Sequence, residues 1–267
     1  KPPIHGWTLR KLRKLMRLDR SQLEEAYEKL GKWTQWWLNY RDQDGDGLCE
    51  YTHGNDSGWD NSTAFRFLPP VTLPDLVAFL VIQMEELGEI AELIGRKSDS
   101  LLWKERAEQM LGKMLEKLFR DNRPLAIQTV TGEVTENESL ILYLPIVLGG
   151  RLPAGVRSYL IEQLKSDRFY TEHGLATESP SSSLYESDGY WRGPIWAPST
   201  MLLADGLWEC GEKEFVRDIT ERFCRNVSRS GCAENFDALT GAGLRDRAYT
   251  WTASVMLVMA HEYLKEE

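Results

Sequence analysis

An all-α fold is what this sequence predicts, and three observations carry the reading. Apolar residues recur at three- and four-residue spacing through several segments of helical length. Convincing two-residue alternation is scarce. Long irregular stretches rich in Trp, Tyr, Asp, Glu, Asn and Gly fall between the helical segments, where long ordered loops are usually functional. The elements follow in order. Residues 21–40 place Leu23, Ala26, Tyr27, Leu30, Trp33 and Trp37 on one face. Thr72 with Asp75 three residues on has the pattern of a capping box, starting a helix that runs over 76–94 and stops before Gly95. Residues 99–119 repeat the pattern through Leu102, Ala107, Met110, Leu111, Met114 and Leu118. Shorter helices are expected at 138–148 and 154–164, and three more at 195–209, 212–227 and 249–265. The best strand signal is 126–134, a small hairpin around Thr131-Gly132. The loops 42–70, 166–194 and 228–248 complete a layout of helix, long loop, helix, short turn. That layout fits helical hairpins whose long connections gather at one end to make a site.

A chain of 267 residues with 42% hydrophobic content can bury a substantial core, and a single domain over 1–267 is the default. A net charge of −9 without a basic face argues against a nucleic-acid partner. The longest apolar stretches are interrupted by Glu, Gln or Gly well short of the roughly 20 residues a membrane helix needs, so no membrane partner is expected. No signal peptide is visible. Cys49, Cys210, Cys224 and Cys232 share no metal-ligand spacing and read as reduced thiols, which favours a cytoplasmic setting. Four matches to the glycosylation sequon occur, two of them in the loop that reads as a pocket, and all four read as chance.

That loop is Tyr51-Thr-His-Gly-Asn-Asp-Ser-Gly-Trp-Asp60-Asn-Ser-Thr. It combines two acids, an indole and several small amide or hydroxyl side chains with no regular period. A core does not want that composition; a pocket for a polyhydroxylated ligand does, because an indole gives a sugar a flat apolar wall while amides and carboxylates bond its rim. Tyr51, His53, Trp59 and Asn61 are its candidate wall residues, and Asp60 is the first candidate for the carboxyl that glycosidic cleavage needs. The second candidate acid is Glu234, in Glu234-Asn235-Phe-Asp-x-x-Thr-Gly, where an Asp/Gly turn would hold it on a rigid base. A solvated loop acid is the plain alternative. The third element, Tyr190-Trp191-Arg192-Gly-Pro-Ile-Trp196, offers an aromatic wall with a cation that can orient a carboxylate or donate to a hydroxyl. Helix packing is the alternative for Trp196. Asp42-Gln-Asp44-Gly-Asp46-Gly copies the first half of a calcium loop, with Glu50 at its ninth position. An Asp/Gly turn that launches the pocket loop is the reading adopted, with calcium as the lesser alternative and no other cofactor expected.

Ser57-Gly-Trp-Asp-Asn, Tyr190-Trp-Arg-Gly-Pro-Ile-Trp, Glu234-Asn-Phe-Asp-x-x-Thr-Gly and Tyr249-Thr-Trp251-Thr-Ala-Ser occur in this order. Together they resemble the catalytic domain of glycoside hydrolase family 63 and its relatives, the trehalases and mannosylglycerate hydrolases, over roughly residues 35–260. The resemblance implies an (α/α)6 toroid of helical hairpins and an inverting mechanism on an α-glycoside. It implies Asp60 as general acid, Glu234 as general base, and Trp59, Trp191, Arg192 and Trp196 along the sugar subsite. Tyr190, Asn235 and Trp251, from the same motifs, join the expected substrate contacts. About eight helices can be counted where a complete barrel has twelve, and the family's early segment rich in Trp, Asp and Gly is missing. A fragment or shortened barrel is therefore expected. The expected substrate is a small glucose- or mannose-containing glycoside. A non-catalytic carbohydrate-binding helical domain derived from the family is the alternative. An inverting phosphorylase would not need a base, and Glu234 weighs against it.

Overall fold

Helices dominate, as the periodicity predicts. A computed structural model describes residues 1–66 and 69–265, and their contacts group the chain into two units, Lys1–Gly58 with Phe67–Thr135 and Trp59–Arg66 with Glu136–Glu267.

The first unit holds α1 (His5–Leu15), α2 (Arg20–Tyr40), the single turn α3 (Gly54–Ser57), β1 (Val71–Thr72), α4 (Pro74–Leu93), α5 (Lys97–Lys117), β2 (Phe119–Arg120), β3 (Arg123–Pro124) and β4 (Ile127–Gln128). α2 starts where Asp19 and Gln22 satisfy each other's backbone N–H groups in a capping box. α4 is the centre of this unit: from Pro74 to Gly88 every residue except Glu85 is buried, and α1, α2 and α5 pack around it. Its buried glutamine and glutamate find partners on α1 and α2. Gln83 accepts from Gly6 N at 3.1 Å and donates to Thr34 Oγ1 at 2.9 Å, while Glu86 meets Arg13 at 2.5 Å. The approach of α1 requires glycine, because a Cβ at Gly6 would sit 2.4 Å from Gln83 Cα.

Two elements differ from the sequence reading here. The predicted reading has no helix before residue 21, whereas α1 lies there. Thr72 caps no helix: it is held in β1, which pairs antiparallel with β4, and α4 begins at Pro74 after Leu73. Pro74 suits a first helical position, where its missing N–H costs nothing and its fixed φ already fits the helix. The 126–134 hairpin forms through the Ile127–Val134 bridge, with Gly132 at φ 70°, and β1 adds to its outer side.

The second unit contains a short 3₁₀ turn (Thr63–Phe65), a 3₁₀ helix (Leu140–Arg151), α6 (Ala154–Lys165), β5 (Tyr170–Thr171), β6 (Gly174–Leu175), β7 (Ile195–Trp196), α7 (Ala197–Glu209), α8 (Lys213–Ser230), β8 (Asn235–Phe236), β9 (Gly243–Leu244) and α9 (Thr250–Tyr263). The helix expected at 138–148 is thus 3₁₀ in type, with Pro145 inside it and a break at Gly149. α7 is buried on most sides and packs on that helix, on α8 and on α9. β7, β8 and β9 form an antiparallel sheet of two-residue strands. Among the described residues no helix is long and apolar enough to cross a membrane. All four cysteines are free thiols.

Candidate active site

The segment carrying Asp60 is fixed by its neighbours in sequence. Ser62 N donates to Trp59 O at 2.9 Å, closing a turn around Asp60 and Asn61. Ser62 Oγ meets Ser139 Oγ at 2.7 Å, and Thr63 Oγ1 donates to Glu178 Oε2 at 2.6 Å. Glu178 is fully buried and also accepts from Ser182 Oγ at 2.7 Å. Burial holds its carboxyl above the ordinary range, with the Thr63 and Ser182 hydrogen bonds opposing. Asn61 reaches across the chain: Nδ2 donates to Gly189 O and Oδ1 accepts from Trp191 N, each at 3.0 Å. The loop of the first acid is in this way tied to the aromatic loop.

The aromatic loop depends on backbone that few residues adopt. Tyr190 is left-handed at φ 64°, and Gly193 has φ 154° with room for no side chain, since a Cβ there would meet Glu186 O at 2.3 Å. The rings then stack. Trp191 lies on Trp196 at 4.0 Å with 7° between planes, and Trp59 lies on Trp191 at 4.6 Å. Tyr190 and Trp251 meet Trp196 edge-on at 4.8 and 5.6 Å. Trp59, Trp191 and Trp196 are all buried, and Trp196 Nε1 is taken by Tyr190 O at 2.9 Å. They form the body of the wall, while the half-exposed Tyr190, Tyr249 and Trp251 supply its surface. Arg192 is ion-paired with Glu186 at 2.7 Å.

Glu234 immediately precedes β8, whose pairing with β7 sets Asn235 opposite Trp196. The predicted turn is present: Asp237 Oδ1 accepts from Leu239 N and Thr240 N, and Gly241 closes it at φ 71°. Glu234 N donates to Asp246 O at 2.7 Å, and Thr252 Oγ1 donates to Ala233 O at 2.7 Å. The base of this loop is therefore rigid. Among the described residues the half-buried Glu234 carboxyl accepts no hydrogen bond, which leaves its lone pairs open to water. The Tyr190 phenol reports on both acids. Burial is the largest cause of its upward shift, followed by Glu234 and then Asp60, with Arg245 opposing. Glu234 also raises Tyr249. The two carboxyl groups, 174 positions apart in the sequence, share the surroundings of one hydroxyl.

Arg245 joins this neighbourhood although no motif singles it out, and Tyr249, which opens the fourth motif, joins it as well. Arg245, left-handed at φ 61°, stacks over Tyr190 at 5.1 Å, pairs with Asp188 at 2.5 Å and donates to the fully buried Asn235 through Oδ1 at 3.2 Å. Its only sequence signal was membership of the 228–248 loop. Tyr51 and His53 belong to the first unit. Tyr51 is completely buried and gives its hydroxyl to Asp75 Oδ2 at 2.9 Å, a core role. His53 is exposed, and its Nδ1 accepts from Asn55 N as the cap of α3.

Residues 1–252 match the model of the mannosylglycerate hydrolase MGH1-like glycoside hydrolase domain. A mannosylglycerate hydrolase from Thermus thermophilus is 27% identical over 187 residues, covering 68% of this chain and 41% of the relative. A glucosylglycerate hydrolase from Mycolicibacterium hassiacum is 23% identical, with 96% and 73% covered. The chain thus spans under half the length of the first relative and about three quarters of the second. The crystal structure of a glycoside hydrolase family 63 mannosylglycerate hydrolase from Thermus thermophilus in complex with glucose superposes with a TM-score of 0.82 at 23% identity, over 97% of this chain and 74% of that one. Neutral trehalase from Saccharomyces cerevisiae gives 0.60 at 17%, over 78% and 41%. The fold is that of these helical glycosidase barrels.

Proposed function

The chain belongs to the mannosylglycerate hydrolase MGH1-like glycoside hydrolase domain family, and from that premise we propose that it hydrolyses a small α-glycoside with inversion. The sugar is glucose or mannose, and the leaving group is a small hydroxy acid of the glycerate class. Asp60 is the general acid that protonates the leaving oxygen. Glu234 is the general base that takes a proton from a water attacking the anomeric carbon on the opposite face. Such a pair needs about 6.5–9.5 Å between carboxyl groups to admit the water. Tyr190, Trp251, Trp59, Trp191, Trp196, Asn61, Asn235 and Arg192 build or support the subsite. The reaction uses no resident cofactor, and the setting is cytoplasmic.

The observation that supports this reading is that the charges of Glu234 and Asp60 both act on the Tyr190 hydroxyl, beside a wall of stacked indoles. Asp60→Asn and Glu234→Gln should each reduce turnover of glucosyl- and mannosylglycerate by several orders of magnitude while leaving the thermal transition in place. Proton NMR of the first sugar released should show the β-anomer. Release of the α-anomer, or variants that turn over normally, would overturn the assignment. Calorimetric binding without product would instead support a carbohydrate-binding domain.

A further inference from the structure

The Asp/Gly turn between α2 and α3 has a property that a plain turn lacks. One carboxylate oxygen from each of Asp42, Asp44 and Asp46 lies within 4.8 Å of the others. The backbone satisfies part of the set: Gly47 N donates to Asp42 Oδ2, Asp46 N to Asp44 Oδ1 and Leu48 N to Asp46 Oδ1. Two buried oxygens are left over. Asp42 Oδ1 is buried without a hydrogen-bond partner, and so is Glu50 Oε2. Glu50 is 0% exposed, and its other oxygen accepts from Gln43 N at 3.1 Å, which sets the carboxyl against the peptide joining Asp42 to Asp44. A fully buried carboxyl that feels the charges of Asp44 and Asp42, with one oxygen unsatisfied, is costly by itself.

Two lysines of α5 bond the turn, and Arg106 of the same helix lines the cavity beside Asp42. Lys117 Nζ pairs with Asp46 Oδ2 and Lys113 Nζ donates to Asp46 O, each at 2.8 Å. Both bond the Asp46 side, Lys117 also acting on Asp44, and among the described residues no ion pair is made by Asp42, Asp44 or Glu50. A cavity of about 230 Å³ opens beside Asp42, Gly47 and Lys113. Gly45 and Gly47 are left-handed at φ 70° and 86°, and Gly47 occupies the sixth position, where an oxygen-ligand loop turns sharply.

We propose that Asp42, Asp44, Asp46 and Glu50 hold one calcium ion, with the Leu48 carbonyl as the expected seventh-position ligand. Hard carboxylate oxygens at alternate positions of a flexible loop suit calcium, whereas magnesium demands a tighter octahedron and keeps its waters. The ion fastens the end of α2 to the segment entering the first unit's core at Tyr51. Glu50 N already donates to Arg41 O at 2.7 Å along that path.

The test is independent of the hydrolase reading because it needs no turnover. Chelator-treated protein titrated with calcium chloride should bind one ion per chain, with a dissociation constant from about 1 µM to about 1 mM. Its melting temperature should rise with calcium and fall again with EGTA, and magnesium at equal concentration should do much less. Terbium should show tryptophan-sensitised luminescence that calcium displaces. Glu50→Gln should weaken calcium binding at least tenfold, and so should Asp44→Asn, whose exposed side chain is not needed for folding. No binding heat together with a melting temperature indifferent to calcium and EGTA would overturn the proposal, leaving a turn neutralised by Lys113 and Lys117. Affinity unchanged in Asp44→Asn would overturn it equally.

Discussion

Asp75→Asn would test whether the first unit's core destabilises as pH rises. Asp75 is 1% exposed, and its Oδ2 accepts from the Tyr51 hydroxyl at 2.9 Å. Burial is the main reason its carboxyl is pushed up to about 7, with the Tyr51 hydrogen bond pulling the other way. In the unfolded chain an aspartate titrates near about 3.9. Between these values the native chain holds a proton that the unfolded chain has released. The stability contributed by neutral Asp75 is therefore fully present below about pH 3.9 and is lost as pH rises towards about 7. About three pH units at about 1.4 kcal/mol each set an upper limit of about 4 kcal/mol. Asparagine cannot ionise. It can still accept from Tyr51, but it places an amide NH₂ in a wholly buried site, a pH-independent cost of about 1–3 kcal/mol. Urea unfolding at pH 4.5, 6 and 8 should show the variant weaker than the native chain at pH 4.5. The gap should close and then reverse by a few kcal/mol at pH 8. Comparing the two chains isolates Asp75, because Glu50, also pushed up to about 7 by burial, titrates in both. A gap constant across the three pH values would refute the reasoning.

Two further outcomes follow from the geometry. Asn61→Ala removes both of its bonds to the aromatic loop and leaves Trp191 N unpaired, while Gly189 O keeps only its bond from Arg192 N. It should lower stability by about 1–3 kcal/mol in a denaturant titration and reduce turnover as Asp60 loses its alignment. A variant as stable and active as the native chain would show that the bridge does not position the acid. Gly206→Ala would set a Cβ 2.5 Å from Ile146 O, where α7 crosses the 3₁₀ helix. Crowding of about 1–3 kcal/mol should exceed the gain of up to about 1 kcal/mol from alanine's helix propensity, lowering the melting temperature by a few degrees. A raised melting temperature would mean that the crossing can open without strain.

Local chemistry determined much of this protein from the sequence by itself. α2 could be read because its apolar face lies within twenty successive residues, although its Asp19 cap was not singled out, and the Asp237–Gly241 turn because an aspartate bonds its own following backbone. The two carboxyl candidates and the indole wall were legible because their residue types are unusual for loops. What depended on partners distant in the chain was not legible. Thr72 was drawn into a strand by β4, over fifty residues away, which moved the start of α4 to a proline. Trp196 had the composition of a sugar platform, yet its ring is buried under Trp191 and its N–H is taken by Tyr190. Tyr51 looked like a pocket residue until a buried aspartate claimed its hydroxyl. Arg245 had no pattern to mark it, because what it stacks on and pairs with comes from a loop more than fifty residues earlier. Hydrogen bonds and ring stacks between residues far apart in sequence are set by how the loops pack. Periodicity and spacing report only on neighbours along the chain.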